Sequence, residues 1–125
     1  MIDFKNATYV KLSPVEIDSF KNDVKLLLID GEDIISSFKG MRDYVVFTNK
    51  RVISVNVQGI TGKKTDYTSL PYKNVVIFSV ETAGTFDLDA ELDLWFSGLG
   101  RVRFEFKGSI DIKTIGKVIS SYVLE

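Results

Sequence analysis

The sequence predicts a mainly β domain, α+β by content, with a helix at each end of the strands. Three observations carry that reading. β-branched and aromatic residues dominate from 34 to 107, and Gly, Asn, Asp and Pro interrupt them at short intervals. Residues 13–28 before this stretch and 110–124 after it place apolar side chains at helical spacing instead. The chain has 125 residues, 45% of them hydrophobic and 26% charged, which suits one globular domain with its own core.

At 13–28, Ser13 can cap a helix, Pro14 fits its first position, and Glu16 completes a capping box. Ile17, Phe20, Val24, Leu27 and Leu28 then form a stripe, and Asp30-Gly31-Glu32-Asp33 ends it. Strands follow at 34–38, 44–48 and 51–57. Asn49-Lys50 makes a tight turn between the last two, so Tyr44 faces Val55, Val46 faces Ile53 and Phe47 faces Val52. Gly59 and Gly62 mark a loop, 64–70 and 73–80 are strands broken at Pro71, and Ala83-Gly84 is a turn.

The last hairpin is the best defined. Leu88, Ala90, Leu92, Leu94 and Phe96 alternate with Asp87, Asp89, Glu91, Asp93 and Trp95. On the partner strand Val102, Phe104 and Phe106 alternate with Arg101, Arg103, Glu105 and Lys107. Opposed residues share a face, so the loop holds an odd number of residues. Ser97-Gly98-Leu99 fits, and it sets Asp93 opposite Arg103 and Trp95 opposite Arg101. At 110–124, Ile112, Ile115, Val118, Ile119, Tyr122 and Val123 line one helical face, with Ser109 or Asp111 as cap. About seven short strands form two packed antiparallel sheets or a partly open barrel, and the last helix closes an open end.

The chain has no cysteine and no histidine. That excludes disulfides, thiolate sites and every nucleophile–histidine arrangement. No catalytic set converges, so no enzyme activity and no cofactor are expected. A net charge of −1 provides no overall attraction to nucleic acid. The first residues lack a signal-peptide layout, and the longest apolar run, 26–29, is too short to cross a bilayer, so a cytoplasmic protein is expected.

Several segments carry a family resemblance. Phe47-Thr48-Asn49-Lys50-Arg51-Val52-Ile53 and the stretch 72–98, YKNVVIFSVETAGTFDLDAELDLWFSG, are the main ones, and residues 29–32 and 58–64 also fit. Together they resemble the bacterial pleckstrin-homology (PH) family across residues 13–124. The resemblance implies a PH-like seven-strand barrel plugged by a C-terminal helix. It also implies a cytoplasmic protein without catalysis that assembles into ring-like homo-oligomers. The first dozen residues lie outside it.

Candidate sites follow from these patterns. Glu81, Asp87, Asp89, Glu91 and Asp93 suggest a cation site, a solvated strand face, or the rim of a subunit interface. The alternation speaks against a calcium loop, which needs a compact turn around a Gly. Trp95 either stacks on Arg101 or anchors an interface that Phe86 extends. Asp87, Asp89 and Glu91 would set its register, and the first helix, through Phe20 and Val24, would seal a subunit contact. Lys39, Arg42, Lys63 and Lys64 form a sparse basic patch that an anionic headgroup could use. Residues 59–64, GITGKK, lack the spacing of a phosphate-binding loop. The expected function is a self-associating binding or scaffold module with a possible protein partner. The alternative is a peripheral membrane module on anionic phospholipid or phosphoinositide headgroups.

Overall fold

A computed structural model describes residues 1–5, 7–61, 64–86, 88–107 and 112–124. Its elements are β1 (Thr8–Val15), α1 (Lys21–Val24), β2 (Ile34–Lys39), β3 (Tyr44–Thr48), β4 (Arg51–Gln58), β5 (Lys64–Pro71), a 3₁₀ turn (Tyr72–Asn74), β6 (Val75–Glu81), β7 (Ala90–Phe96), β8 (Gly100–Phe106) and α2 (Ile112–Val123). The mainly β, PH-like architecture with a C-terminal helix stands. The strands form one eight-stranded sheet in the order β5-β4-β3-β2-β1-β8-β7-β6, one strand more than expected. The sheet folds on itself: Phe47 of β3 meets Phe104 of β8 edge-on at 5.8 Å, and Phe38 of β2 meets Phe106 at 4.8 Å.

The expected helix at 13–28 is the main correction. Ser13, Pro14 and Val15 are strand residues, paired antiparallel with Lys39, Phe38 and Ser37 of β2. Earlier in β1, Thr8, Tyr9 and Leu12 pair in parallel with Arg103, Phe104 and Phe106 of β8. β1 therefore joins the two halves of the sheet. The register shifts between Tyr9 and Leu12, where Lys11 takes a left-handed φ of 53°. Tyr9 and Leu12 are buried in the barrel core, and that burial outweighs the local capping signals of Ser13, Pro14 and Glu16.

Helix survives only as the four residues of α1, followed by single turns from Leu27 to Val24 and from Leu28 to Lys25. This excursion buries part of its stripe on its own sheet, through Val24, Phe20 and Leu28, while Ile17 and Leu27 stay exposed. Val24, Tyr44, Val46, Ile53 and Val55 form a second core, with Phe20, Leu28 and Ile34 packed against it. Phe20 stacks on Tyr44 at 3.8 Å. β3 is consequently buried on both faces.

A polar corner fastens the excursion to the β3–β4 hairpin. Glu32, with no side-chain exposure, accepts from Arg51 Nε and Nη2, both at 2.9 Å, and from the Thr48 hydroxyl at 2.7 Å. Arg51 also donates to the Leu27 carbonyl and, at 3.0 Å, to Ser69 Oγ. Thr48 Oγ1 accepts from the backbone N–H groups of Lys50 and Arg51, both at 3.0 Å, closing the turn. Asn49 donates to the Gly31 carbonyl and accepts from Asp33 N–H, both at 2.9 Å. Gly31 holds φ at 80°, which favours glycine. The Tyr72 hydroxyl donates to the Thr48 carbonyl at 2.7 Å, and its ring stacks on Tyr122 of α2. The corner thus reaches the closing helix.

α2 buries Ile112, Gly116 and Ile119 across β6, β7 and the 3₁₀ turn. Gly116 permits this approach, since a Cβ there would stand 2.8 Å from Val80 Cγ1. The N-terminal residues also contribute to the barrel. Ile2 is buried in the main core, Phe4 packs edge-on against Phe96, and the Met1 amine pairs with Asp66 of β5 at 2.6 Å.

Burial opposes ionisation of Glu32, but hydrogen bonds from Arg51, Thr48 and Ile29 N–H outweigh it and hold its carboxyl below the usual range. Its folded value is lower than its unfolded one, so its contribution is present at neutral pH and is lost as pH falls through the lowered value. Glu32→Gln is expected to lose about 3 kcal/mol in urea unfolding at pH 7, because Arg51 is left without its charge partner. The deficit should shrink toward acid pH, and a deficit constant down to pH 3 would contradict the assignment.

Candidate interaction surface

The outer face of β6, β7 and β8 is built by strand alternation into three rows. Ile77, Trp95 and Arg101 form the first, Ser79, Asp93 and Arg103 the second, and Glu81, Glu91 and Glu105 the third. The pairings Asp93–Arg103 and Trp95–Arg101 are those the alternation and the three-residue loop predict, and Tyr44–Val55, Val46–Ile53 and Phe47–Val52 are those the Asn49-Lys50 turn predicts.

In the middle row Asp93 is buried beneath a two-pronged contact. Arg103 Nε lies 2.9 Å from Oδ1 and Nη2 3.2 Å from Oδ2. Arg103 also stands 3.5 Å from Glu91, so one guanidinium serves two carboxylates. The third row opposes three carboxylates directly. Partial burial raises the Glu91 carboxyl, Glu81, Glu105 and Asp93 push the same way, and Arg103 opposes them. The first row ends on apolar surface: Ile77 is 60% exposed beside the half-buried Trp95 and the exposed Arg101. Beyond β6, Phe86 is fully exposed and Leu88 is exposed, whereas Asp89 is half-buried. Asp87 lies outside the described residues. β7 begins at Ala90, so Leu88 does not join the inward row as expected.

Other expected site residues are placed elsewhere. Val24 is completely buried in its own chain, and the half-buried Phe20 stacks on Tyr44. Lys39 is exposed at the end of β2, and Lys64 is exposed at the start of β5. Lys63 lies outside the described residues. Arg42 donates to the Gly59 carbonyl at 2.8 Å, tying the β2–β3 loop to the loop after β4. Lys39 and Arg42 share a groove with two cations that the sequence reading missed, Lys11 and Lys107, and with Asp43. The strand pairing of β1 with β8 brings these together. The alternation of Tyr9 with the strand-forming Thr8 and Val10 is the signal that could have found Lys11. No group of three or more acidic residues among the described residues could hold a metal ion. No helix among them is long and apolar enough to cross a membrane.

Raised in the folded protein, the Glu91 carboxyl costs stability above its folded value and recovers it as pH falls through that value. Glu91→Gln should therefore stabilise the protein by about 0.5 kcal/mol at pH 7, with the advantage fading toward acid pH. Chemical unfolding at paired pH values checks this. A loss of stability at pH 7 would mean that the Arg103 contact outweighs the carboxylate repulsion.

Known proteins fit this architecture. The bacterial PH domain family matches residues 3–123. The chain is 52% identical over 97 residues to the uncharacterized Bacillus subtilis protein YjqA, covering 76% of this chain and 78% of that protein. It is 32% identical to the uncharacterized Bacillus subtilis protein YozO, covering 80% and 86%. Among solved structures it is similar to a DUF1696 family protein with a pleckstrin-homology domain from Shewanella loihica. That match has a TM-score of 0.78 at 41% identity, over 91% of this chain and 98% of the other. On sequence, strand order and closing helix together, the chain belongs to the bacterial PH domain family.

Proposed function

We propose that this protein is a non-catalytic, self-associating PH-like module of the cytoplasm, and that its contact is the β6 edge with the adjoining Ile77–Trp95–Arg101 row. The observation that carries the reading is the contrast between the two edges of the open sheet. β5 carries Lys64, Asp66 and Pro71, and the Met1 amine sits on Asp66. Charges and proline of this kind keep an edge from pairing with another chain. β6, VVIFSVE, has no proline and no charge before Glu81, and it exposes 59% of Val76 and 60% of Ile77. An edge of that composition accepts an added strand. Burying an exposed Val or Ile contributes about 1.5–3 kcal/mol each, and Trp95 with Arg101 supplies the residue types enriched at interface anchors.

Light scattering on the eluting protein tests this. A discrete multimer is expected whose mass holds across concentration, with Ile77→Lys shifting it to monomer while the fold persists. A monomer throughout would remove the proposal.

One observation favours a membrane reading as second choice. Met41 and Ile60 are fully exposed at the tips of the two loops that Arg42 ties together, beside Lys39 and the groove cations Lys11 and Lys107. Apolar tips within a basic rim suit an anionic bilayer surface. Cosedimentation with vesicles containing phosphatidylserine should then fall on Lys39→Glu with Met41→Asp, and binding unchanged by both would dismiss it.

A further inference from the structure

At the opposite end of the barrel from the Lys39–Arg42 groove, the β3–β4 turn, the 3₁₀ turn and the last turn of α2 surround a recess of 360 Å³. We propose that this recess binds a small phosphomonoester carried on a planar ring.

The charge argument comes first. Lys50, Arg51 and Lys73 line the recess, and Glu32 is its one carboxylate. Arg51 consumes Glu32 through two contacts of 2.9 Å. Among the described residues, neither Lys50 nor Lys73 has an acidic partner. Two lysines without an acidic partner, both lining one recess, match a dianion better than a monoanion.

The polar floor adds selectivity by being satisfied already. Both polar atoms of the Asn49 amide, both Glu32 oxygens and the Tyr72 hydroxyl are bonded within the chain. Recognition therefore falls to Lys50, Lys73 and Arg51 Nη1, which spends one of its two protons on Ser69. The same corner that holds the fold fixes Arg51 and the Lys50 backbone.

The remaining wall presents one aromatic ring, that of the half-buried Tyr122, since Tyr72 is buried behind it. Tyr122 lies 5.6 Å from Tyr72 with the rings within 12° of parallel, and Tyr72 is pinned by its bond to the Thr48 carbonyl. Ile29 and Pro71 also line the recess. A bare phosphate leaves most of this volume empty, whereas a phosphorylated ring fills it and meets the aromatic wall. A cavity with apolar walls and a few convergent polar groups is the usual form of a small-molecule site.

Phenyl phosphate is the probe, with inorganic phosphate as its ringless counterpart. Titrated into the full chain at low salt and followed by amide NMR, phenyl phosphate should shift Lys50, Arg51, Lys73 and Tyr122. Its affinity should fall at least about tenfold in Lys50→Gln/Lys73→Gln, since two charge-assisted contacts are removed. Lys39→Gln/Lys107→Gln should leave it unchanged. Both lysines of the first pair are exposed, so the fold is retained. Equal affinity for phosphate and phenyl phosphate would overturn the ring requirement. Unchanged binding in Lys50→Gln/Lys73→Gln, or shifts centred on Lys39 and Lys107, would overturn the site.

Discussion

The Glu32–Arg51 ion pair is the interaction on which the rest of this structure depends. It joins three segments distant in sequence: the turn before β2, the β3–β4 hairpin and, through Ser69, β5. Two charges removed from water are costly unless every lone pair and proton finds a partner. Here Thr48 and the Ile29 N–H complete the Glu32 shell, and the Leu27 carbonyl and Ser69 each take a further Arg51 proton, leaving one Nη1 proton facing the recess. The family-like segments at 29–32 and 47–53 therefore have a physical meaning. Gly31 supplies the left-handed turn, Glu32 the buried charge, Thr48 and Asn49 the turn closure, and Arg51 the counter-charge. With the corner fixed, the 16–33 excursion covers the outer face of β3, and Tyr72 carries the constraint on to α2.

What could be read in the sequence follows from how local each determinant is. The β7–β8 register was legible because alternation fixes the faces and only one register sets Asp93 against Arg103. The β3–β4 pairing was legible for the same reason, with a two-residue turn leaving no freedom. The N-terminal helix was misread because Ser13, Pro14 and Glu16 are strong local signals, whereas the force that overrides them is the burial of Tyr9 and Leu12 against a strand nearly a hundred residues away. Glu32 sits in the turn at 30–33, and nothing local reveals that Arg51 folds back over it. Of the candidate surface, Trp95, Arg101 and Phe86 were found as outward residues. Ile77 was missed as a surface residue, because its exposure depends on β6 lying at the sheet edge, and strand order is not written in periodicity.

The open sheet leaves two edges, and their chemistry is unequal. β5 is guarded by charge, by Pro71 and by the N-terminal amine, while β6 combines β-branched residues with exposure. α2 cannot cover all of β6, because it is seated where Gly116 meets Val80, leaving Val76 and Ile77 in water. The carboxylate row at Glu81, Glu91 and Glu105 lies on the same face, two rows from Trp95. In the proposed self-association, that arrangement would give the face an apolar end for contact and an acidic end that disfavours a copy approaching in the same orientation.

Amide hydrogen exchange of the two edge strands, measured across protein concentration, tests the central claim most directly. If β6 receives a strand from another copy, its outward-facing amides gain protection as concentration rises, while those of β5 exchange at a constant rate. Concentration-independent exchange along β6, or protection that builds on β5 instead, would contradict the account.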